Sequence, residues 1–144
     1  MRQTGRLQTL FETYSKNADF WWVYIQEAHA TDGRRPSRTV KIPLHRSIDD
    51  RKKAATGCAA AAELKVPVLL DDMEDSVSKA YSALPERFFI LGTDGKVAYA
   101  GGRGPRGVNL DALEASLKGL TTDVAEADSK EESTTESKAK DTEK

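Results

Sequence analysis

The stretch from Phe20 to Gly33, which reads FWWVYIQEAHATDG, constrains the fold of this chain more than any other. Its first six residues, Phe20 to Ile25, are bulky and apolar, and a short aromatic and β-branched run predicts a strand buried on both faces. An acid, Glu27, and an imidazole, His29, follow. Open α/β sheets bind ligands at the carboxyl ends of such strands. Since alternate side chains of an extended backbone share a side, we expect Glu27 and His29 to project together and supply proton chemistry.

Hydrophobic patterning predicts a series of further helices and strands. Leu7, Leu10 and Tyr14 follow the spacing of one helix face, and an alanine-rich run after Ser47, a favourable N-cap residue, indicates a second helix. The turn Asp94-Gly95 between two apolar runs is typical of a β-hairpin. In order, the predicted elements are a helix over residues 4–16, a strand over 20–25, a helix over 47–64, a strand over 66–70, a short helix over 75–82, a hairpin over 88–99 and a helix over 110–120.

This order indicates one α/β domain followed by a tail. Two strands separated by a helix run parallel, through a right-handed crossover. The hairpin adds two antiparallel strands, so the chain is βαβ followed by ββα, the thioredoxin-like arrangement, which we place at residues 1–120. Residues 121–144 contain eight acidic and four basic side chains and no aromatic ones. Such a segment buries too little surface to offset its ordering entropy, which predicts a disordered acidic tail.

Charge and composition exclude several classes of function. The net charge of −1 disfavours nucleic acid as a partner, because binding a duplex needs clustered positive charge. No apolar window is long enough to span a bilayer, and the first residues lack the apolar core of a secretory signal. Cys58 is the single cysteine, so neither an intrachain disulfide nor a cysteine-based zinc cluster is possible, and no metal site is predicted. These features favour a reducing, cytoplasmic location.

Further segments together resemble the iodothyronine deiodinase family of selenoenzymes. The matching pieces are Glu27-Ala28-His29, Asp32-Gly33, His45-Arg46-Ser47, Asp50-Arg51, Asp71, Ala83-Leu84-Pro85-Glu86-Arg87 and Gly101-Gly102-Arg103-Gly104-Pro105. The resemblance covers roughly Leu7 to Leu120. It implies a fold similar to thioredoxins and peroxiredoxins, with Pro85 at a position that often holds a cis peptide bond. It also implies an oxidoreductase that removes iodine from an iodothyronine or another halogenated phenol.

The resemblance also implies roles for individual residues. In the family, the strand-end pair that matches Glu27 and His29 serves proton transfer and substrate contact. The residues that match His45 and Arg103 resemble substrate clamps. The nucleophile is a selenocysteine, or a cysteine in some relatives, at the start of a helix whose N-terminus stabilises the anion. An external thiol is the expected reductant, no cofactor is expected, and a homodimer is an open option.

The chain departs from the family pattern at three places. Arg34 stands where the family usually has tryptophan after Asp-Gly, and Val66-Pro67 replaces the resolving cysteine that some members carry. By spacing, the nucleophile is expected just upstream of Met1, which then corresponds to an internal methionine that follows a selenocysteine codon, UGA. A first strand of the sheet is expected in the same upstream segment.

Two other functions remain open, as do structural roles for the candidate residues. The chain is alternatively a non-catalytic thioredoxin-like module that binds a phenol without reducing it, or a peroxiredoxin-like thiol peroxidase. His29 is alternatively a hydrogen-bonded structural residue, His45 an exposed loop residue, and Arg103 a surface cation. Cys58 is interpreted as a small buried hydrophobe. The cationic side chains after Gly33 form either a solvated surface or a guide for an anionic substrate; they are Arg34, Arg35, Arg38 and Lys41.

Overall fold

The computed structural model describes residues 2–39 and 41–122, and its helices and strands follow the predicted order. They are α1 (Arg2–Tyr14), β1 (Trp22–Tyr24), α2 (Ile48–Ala61), β2 (Val68–Leu70), α3 (Ser76–Ala80), β3 (Phe89–Leu91) and β4 (Val97–Ala100). The chain is helical again over residues 110–122, here called α4. The protein therefore has the mixed α/β, thioredoxin-like fold that the sequence predicts.

The predicted tail falls almost entirely outside the described residues. Residues 121 and 122 continue α4, and residues 123–144 lie beyond the described range. The boundary at residue 120 and the disorder of the acidic tail stay predictions. None of the helices within residues 2–39 and 41–122 is long and apolar enough to cross a membrane.

Both predicted strand pairings are confirmed. Strands β1 and β2 are parallel, with Trp22 opposite Val68, as a crossover through α2 requires. Strands β3 and β4 are antiparallel and irregular after Ile90. Gly95 in the connecting turn has a φ of 75°, a conformation that glycine adopts without steric cost.

The two strand pairs do not join into one sheet in the described part of the chain. They form a β1–β2 sheet and a β3–β4 sheet of two strands each. Each of the four strands, β1 and β3 among them, therefore keeps one edge that no described strand pairs with. An edge of this kind presents unpaired backbone N–H and C=O groups to which another strand can bind.

The prediction that residues 20–25 form a strand buried on both faces is wrong in extent. Only Trp22–Tyr24 is a strand, and Trp21 just before it is 59% exposed, whereas Tyr24 is 8% exposed. The burial is incomplete because β1 has a strand neighbour on one side only among the described residues. Burial therefore concentrates at the C-terminal end of the strand, which is also the end where ligands bind in such folds.

The buried apolar residues come mainly from α1, α2, α4 and the end of β1. Leu10 of α1 is buried with Leu113 and Leu117 of α4. Arg6 forms ion pairs with Asp111 and Glu114 across the same two helices. Helix α2 contributes a separate buried face, and its buried residues include Ala55.

Helix α2 begins where the sequence predicts. The Asp50 N–H donates to Ser47 Oγ at 3.2 Å, so Ser47 is the N-cap. The Asp50 carboxylate in turn accepts from the Arg46 N–H at 3.1 Å. These bonds satisfy backbone donors at the helix start, and the acids of the first turn favour the positive end of the helix dipole. The cap also fixes the position of His45, two residues before it.

Candidate active site

The backbone turns at His29 instead of remaining extended. Strand β1 ends at Tyr24, and residues 28 and 29 form a turn. The alternation that predicted a shared side for Glu27 and His29 therefore does not apply. The two residues still contact each other, because Glu27 Oε1 accepts from the His29 backbone N–H at 3.2 Å. Glu27 thus positions the main chain that carries the imidazole.

The His29 imidazole is exposed and held by the loop that follows it. Its Nδ1 lies 3.0 Å from the Arg35 carbonyl oxygen. Because a carbonyl oxygen only accepts, we assign the hydrogen to Nδ1. The other ring nitrogen, Nε2, forms no hydrogen bond that holds it to a described residue, and without a hydrogen of its own it can accept one.

Asp32 organises this loop. Its Oδ1 accepts from the Leu44 N–H at 2.7 Å, and its other oxygen lies 3.8 Å from Arg46. The backbone hydrogen bond from Leu44 is the main cause that lowers the pKa of the Asp32 carboxyl. The loop therefore returns close to its own start and delivers His45 to the end of β1.

Tyr24 and His45 meet at the end of β1. Their ring centroids are 5.8 Å apart. Among the described residues, the Tyr24 hydroxyl and both His45 ring nitrogens are buried without a hydrogen-bond partner. Buried polar atoms in native proteins nearly always have a partner, so three unpartnered atoms in one place call for a functional explanation. We call Tyr24, His45 and Glu27 the polar cluster.

Burial and the Glu27 charge set the protonation of the polar cluster. Burial, and then the charge of Glu27, raises the pKa of Tyr24 to about 12. Glu27 lies near the Tyr24 hydroxyl without completing a hydrogen bond of ordinary geometry. Burial, with help from Arg51, lowers the pKa of His45, although Glu27 opposes this shift. At neutral pH the cluster therefore presents a phenol O–H and a neutral imidazole with one donor and one acceptor.

Cys58 lies in α2, and the charge of the Glu27 carboxylate also acts on its thiol. The thiol is half-buried, and burial, followed by the charge of Glu27, raises the pKa of Cys58. A raised pKa keeps the thiol protonated, which disfavours a nucleophilic role. The interpretation of Cys58 as a small hydrophobe is consistent with this environment.

A buried arginine fixes α2 to the end of β2. The Arg51 side chain is 2% exposed, and its Nη2 lies 2.9 Å from Asp75 Oδ1. Its Nη1 donates to the carbonyl oxygens of Asp71, at 3.3 Å, and Asp72. The Asp71 carboxylate accepts from the Ser78 N–H at 2.8 Å, which ties this junction to α3. The charge of Arg51 also acts on the pKa of Tyr24 and of His45 in the polar cluster.

The glycine-rich loop that carries Arg103 is attached to the segment before β3. The Gly104 N–H donates to the Glu86 carbonyl oxygen at 2.9 Å, and Arg87 Nε donates to the Gly101 carbonyl oxygen at 2.6 Å. The Leu84–Pro85 peptide bond is cis, which confirms the hypothesis for Pro85. The Arg87 guanidinium also lies 4.9 Å from the Phe89 ring centroid, a structural contact.

The structure thus brings together some predicted residues and leaves others apart. Glu27 and His45 belong to the polar cluster, whereas His29 joins them through its backbone. Arg103 is exposed on its own loop, and no described contact links it to the cluster. Sequence reasoning missed Tyr24, although a tyrosine inside an apolar run carries a hydroxyl that needs a partner. Within residues 2–39 and 41–122, no group of His, Cys, Asp and Glu side chains is arranged to hold a metal ion.

Comparison with known proteins identifies relatives. A family model described as iodothyronine deiodinase matches residues 1–120. Thyroxine 5-deiodinase of Ovis aries is 37% identical over 119 residues, and that of Sparus aurata is 39% identical over 122 residues. The Rattus norvegicus protein of the same name is 36% identical over 126 residues. Each match covers 82% of this chain but only 40%, 44% and 38% of the respective relatives.

Proposed function

This chain belongs to the iodothyronine deiodinase family, and we propose that it carries the substrate-binding and proton-transfer residues of a reductive deiodinase. The substrate is an iodinated phenol, either an iodothyronine or a simpler ring. One observation carries the proposal: the buried Tyr24 hydroxyl and His45 nitrogens have no hydrogen-bond partner among the described residues. These are the groups that a phenol oxygen would satisfy.

The protonation of the polar cluster suits a phenol. A phenol oxygen accepts one hydrogen bond and donates another, or accepts two when ionised. Tyr24 donates through its hydroxyl, and the neutral His45 imidazole donates or accepts according to its tautomer. Leaving such buried groups unpaired costs about 1–3 kcal/mol each, so a ligand that pairs them gains affinity and orientation.

In the proposed reaction, a chalcogenolate attacks the iodine atom and the carbon–iodine bond breaks. The ring carbon gains a proton, which His29 first takes up from water at Nε2 and then delivers from the imidazolium, and a chalcogen–iodine bond forms. Glu27 keeps His29 in place through the 3.2 Å bond to its backbone N–H. His45 and Arg103 hold the polar, phenolic end of the substrate. Two equivalents of an external thiol then reduce the chalcogen–iodine bond, releasing iodide and one disulfide.

We propose that the chalcogen is a selenocysteine or cysteine encoded upstream of Met1, in a segment that also supplies a strand. The single cysteine of the chain, Cys58, has a raised pKa. The unpaired edges of β1 and β3 in the described residues offer places for such a strand. The chain spans about two fifths of the length of the curated relatives it matches. An upstream nucleotide sequence without an in-frame UGA or cysteine codon contradicts this proposal.

Iodide release tests the function. We expect the native gene product to release iodide from 3,5-diiodotyrosine derivatives or iodothyronines in the presence of dithiothreitol. Replacing His29 with alanine should lower the rate about 100-fold, the usual contribution of a general acid. Arg35→Ala is the matched control, because the imidazole bonds the Arg35 backbone and not its side chain. Unchanged iodide release by His29→Ala would refute the role of the imidazole.

A non-catalytic phenol-binding module is the second candidate. The same unpartnered atoms would bind a phenol without any nucleophile, and a reducing compartment would not be required. Phenol binding by the native gene product without iodide release, under any thiol, would favour this candidate.

A further inference from the structure

A polar pocket lies in the loop between β1 and α2. It has a volume of about 640 Å³ and is lined by Thr31, Pro36, Ser37, Arg38 and Lys41. We call it the loop pocket. It shares no lining residue with the polar cluster, and its two charged lining residues are both cations.

This loop carries a strong excess of positive charge. Residues 30–47 contain five lysine and arginine side chains and one acid, Asp32. Asp32 already accepts from Leu44 and pairs with Arg46. Within residues 2–39 and 41–122, Arg38 and Lys41 take part in none of the ion pairs. A chain with a net charge of −1 therefore keeps two unneutralised cations in one concavity.

Backbone hydrogen bonds fasten the loop pocket to His29. The Ser37 N–H donates to the His29 carbonyl oxygen at 2.8 Å, and the His29 ring bonds the Arg35 carbonyl oxygen at 3.0 Å. The Thr31 N–H donates to the Ile42 carbonyl oxygen at 2.8 Å, which closes the loop. The pocket wall and the imidazole are therefore one connected unit, and a group bound in the pocket lies beside the residue that delivers the proton.

We propose that the loop pocket binds the carboxylate of an aromatic substrate through Arg38 and Lys41. The proposal rests on the proposed function, because it assigns the substrate's anionic arm to a place beside His29. Arginine matches the two oxygens of a carboxylate, and lysine adds a mobile point charge. Cations that line a concavity also raise the local concentration of anionic ligands.

The test compares two ligands that differ only in charge. They are 3-(3,5-diiodo-4-hydroxyphenyl)propanoate and its amide, which lacks the carboxylate charge, titrated calorimetrically into the native gene product at low ionic strength. We expect the propanoate to bind about tenfold more tightly than the amide, as charged hydrogen bonds provide. This preference should disappear in the Arg38→Ala/Lys41→Ala double variant, while amide binding stays unchanged.

Four controls make the result specific. Arg34→Ala removes one charge from the same loop outside the pocket lining and should keep the preference. The charge-preserving variant Arg38→Lys/Lys41→Arg should retain most of it. Equal melting temperatures among the variants show that the loop fold is intact. Sodium sulfate titrated alone separates a substrate site from a general inorganic-anion site.

The outcomes separate this proposal from the proposed function. Equal affinity for both ligands overturns the loop pocket alone. A preference that Arg34→Ala lowers as much as the double variant also overturns it, because the effect is then diffuse charge. Tight sulfate binding without a propanoate preference assigns the pocket to free anions and overturns the substrate role. Binding of neither ligand overturns the proposed function and this proposal with it.

Discussion

A few buried polar atoms of individual side chains determine what the polar cluster can bind. Tyr24 and His45 bury groups that find no hydrogen-bond partner in the described part of the chain. An arrangement of this kind weakens the folded protein unless a ligand completes it. The residue that connects the cluster to the loop is Glu27, which bonds the His29 main chain and acts by its charge on both rings.

Replacing Tyr24 with phenylalanine tests whether its hydroxyl serves a ligand. Because the hydroxyl is buried and finds no hydrogen-bond partner among the described residues, its loss should leave the free energy of unfolding unchanged or raise it by up to about 1 kcal/mol. The affinity for 2,6-diiodophenol should fall about five- to tenfold. Thermal unfolding and calorimetry of the native gene product, with its proposed upstream segment, give the two values. A less stable variant with unaltered affinity would show that the hydroxyl has a structural partner instead.

The lowered pKa of His45 predicts an acid-sensitive fold. Because the folded pKa lies below the unfolded value of about 6.5, the unfolded state binds more protons as the pH falls below that value. The stability that His45 provides is therefore present above pH ~6.5 and is lost as the pH falls through the folded pKa. Denaturant unfolding between pH 7.5 and 5 should show this decline.

His45→Gln is the matched control for that pH dependence. It keeps a polar side chain but cannot titrate, so the decline below pH ~6.5 should shrink. The carboxyls of Asp32 and Asp50 have lowered pKa values and act only in a more acidic range. An unchanged profile in His45→Gln would show that another group is responsible.

Those features of the helices, strands and turns that depend on local sequence pattern could be predicted. The Ser47 cap, the Gly95 turn and the parallel β1–β2 pair depend on neighbouring residues or on chain topology, and all three are confirmed. The meeting of Tyr24 with His45 depends on how a loop of more than 20 residues returns to β1. No periodicity in the sequence encodes that return, so the polar cluster was only partly predictable.

The buried Arg51, which joins α2 to the end of β2, should contribute more to stability than an exposed ion pair does. Its guanidinium bonds Asp75 and the carbonyl oxygens at the end of β2, and it is 2% exposed. Arg51→Ala leaves buried acceptors and a carboxylate without their cation, and should lower the free energy of unfolding by about 3–5 kcal/mol. Arg46→Ala, which removes an exposed ion pair with Asp32, should cost less than about 1 kcal/mol. Equal losses in urea unfolding would contradict the distinction.

The described part of the protein contains two short sheets with unpaired edges. β1 and β3 each have one edge without a strand partner among the described residues. The thioredoxin-like order of elements was predictable because helix and strand patterns alternate clearly. The shortness of β1 was not, because the extent of a strand depends on neighbours that its own residues do not specify.

The 144 residues alone should fold poorly. Two-stranded sheets with unpaired edges, as in the described residues, are marginally stable and favour aggregation. We expect no cooperative thermal transition for this chain and a cooperative one for a product that includes the upstream segment. Circular dichroism during heating distinguishes the two, and a sharp transition in the chain alone would contradict the prediction.

The direct test of the account is the composition of the native gene product. Intact mass spectrometry, selenium analysis and thiol counting under denaturing conditions together show whether a chalcogen precedes this domain. We predict a mass above 15.8 kDa with either one selenium atom or a cysteine thiol in addition to Cys58. A product of 15.8 kDa without selenium, whose one thiol is Cys58, would contradict a deiodinase mechanism and leave a phenol-binding module.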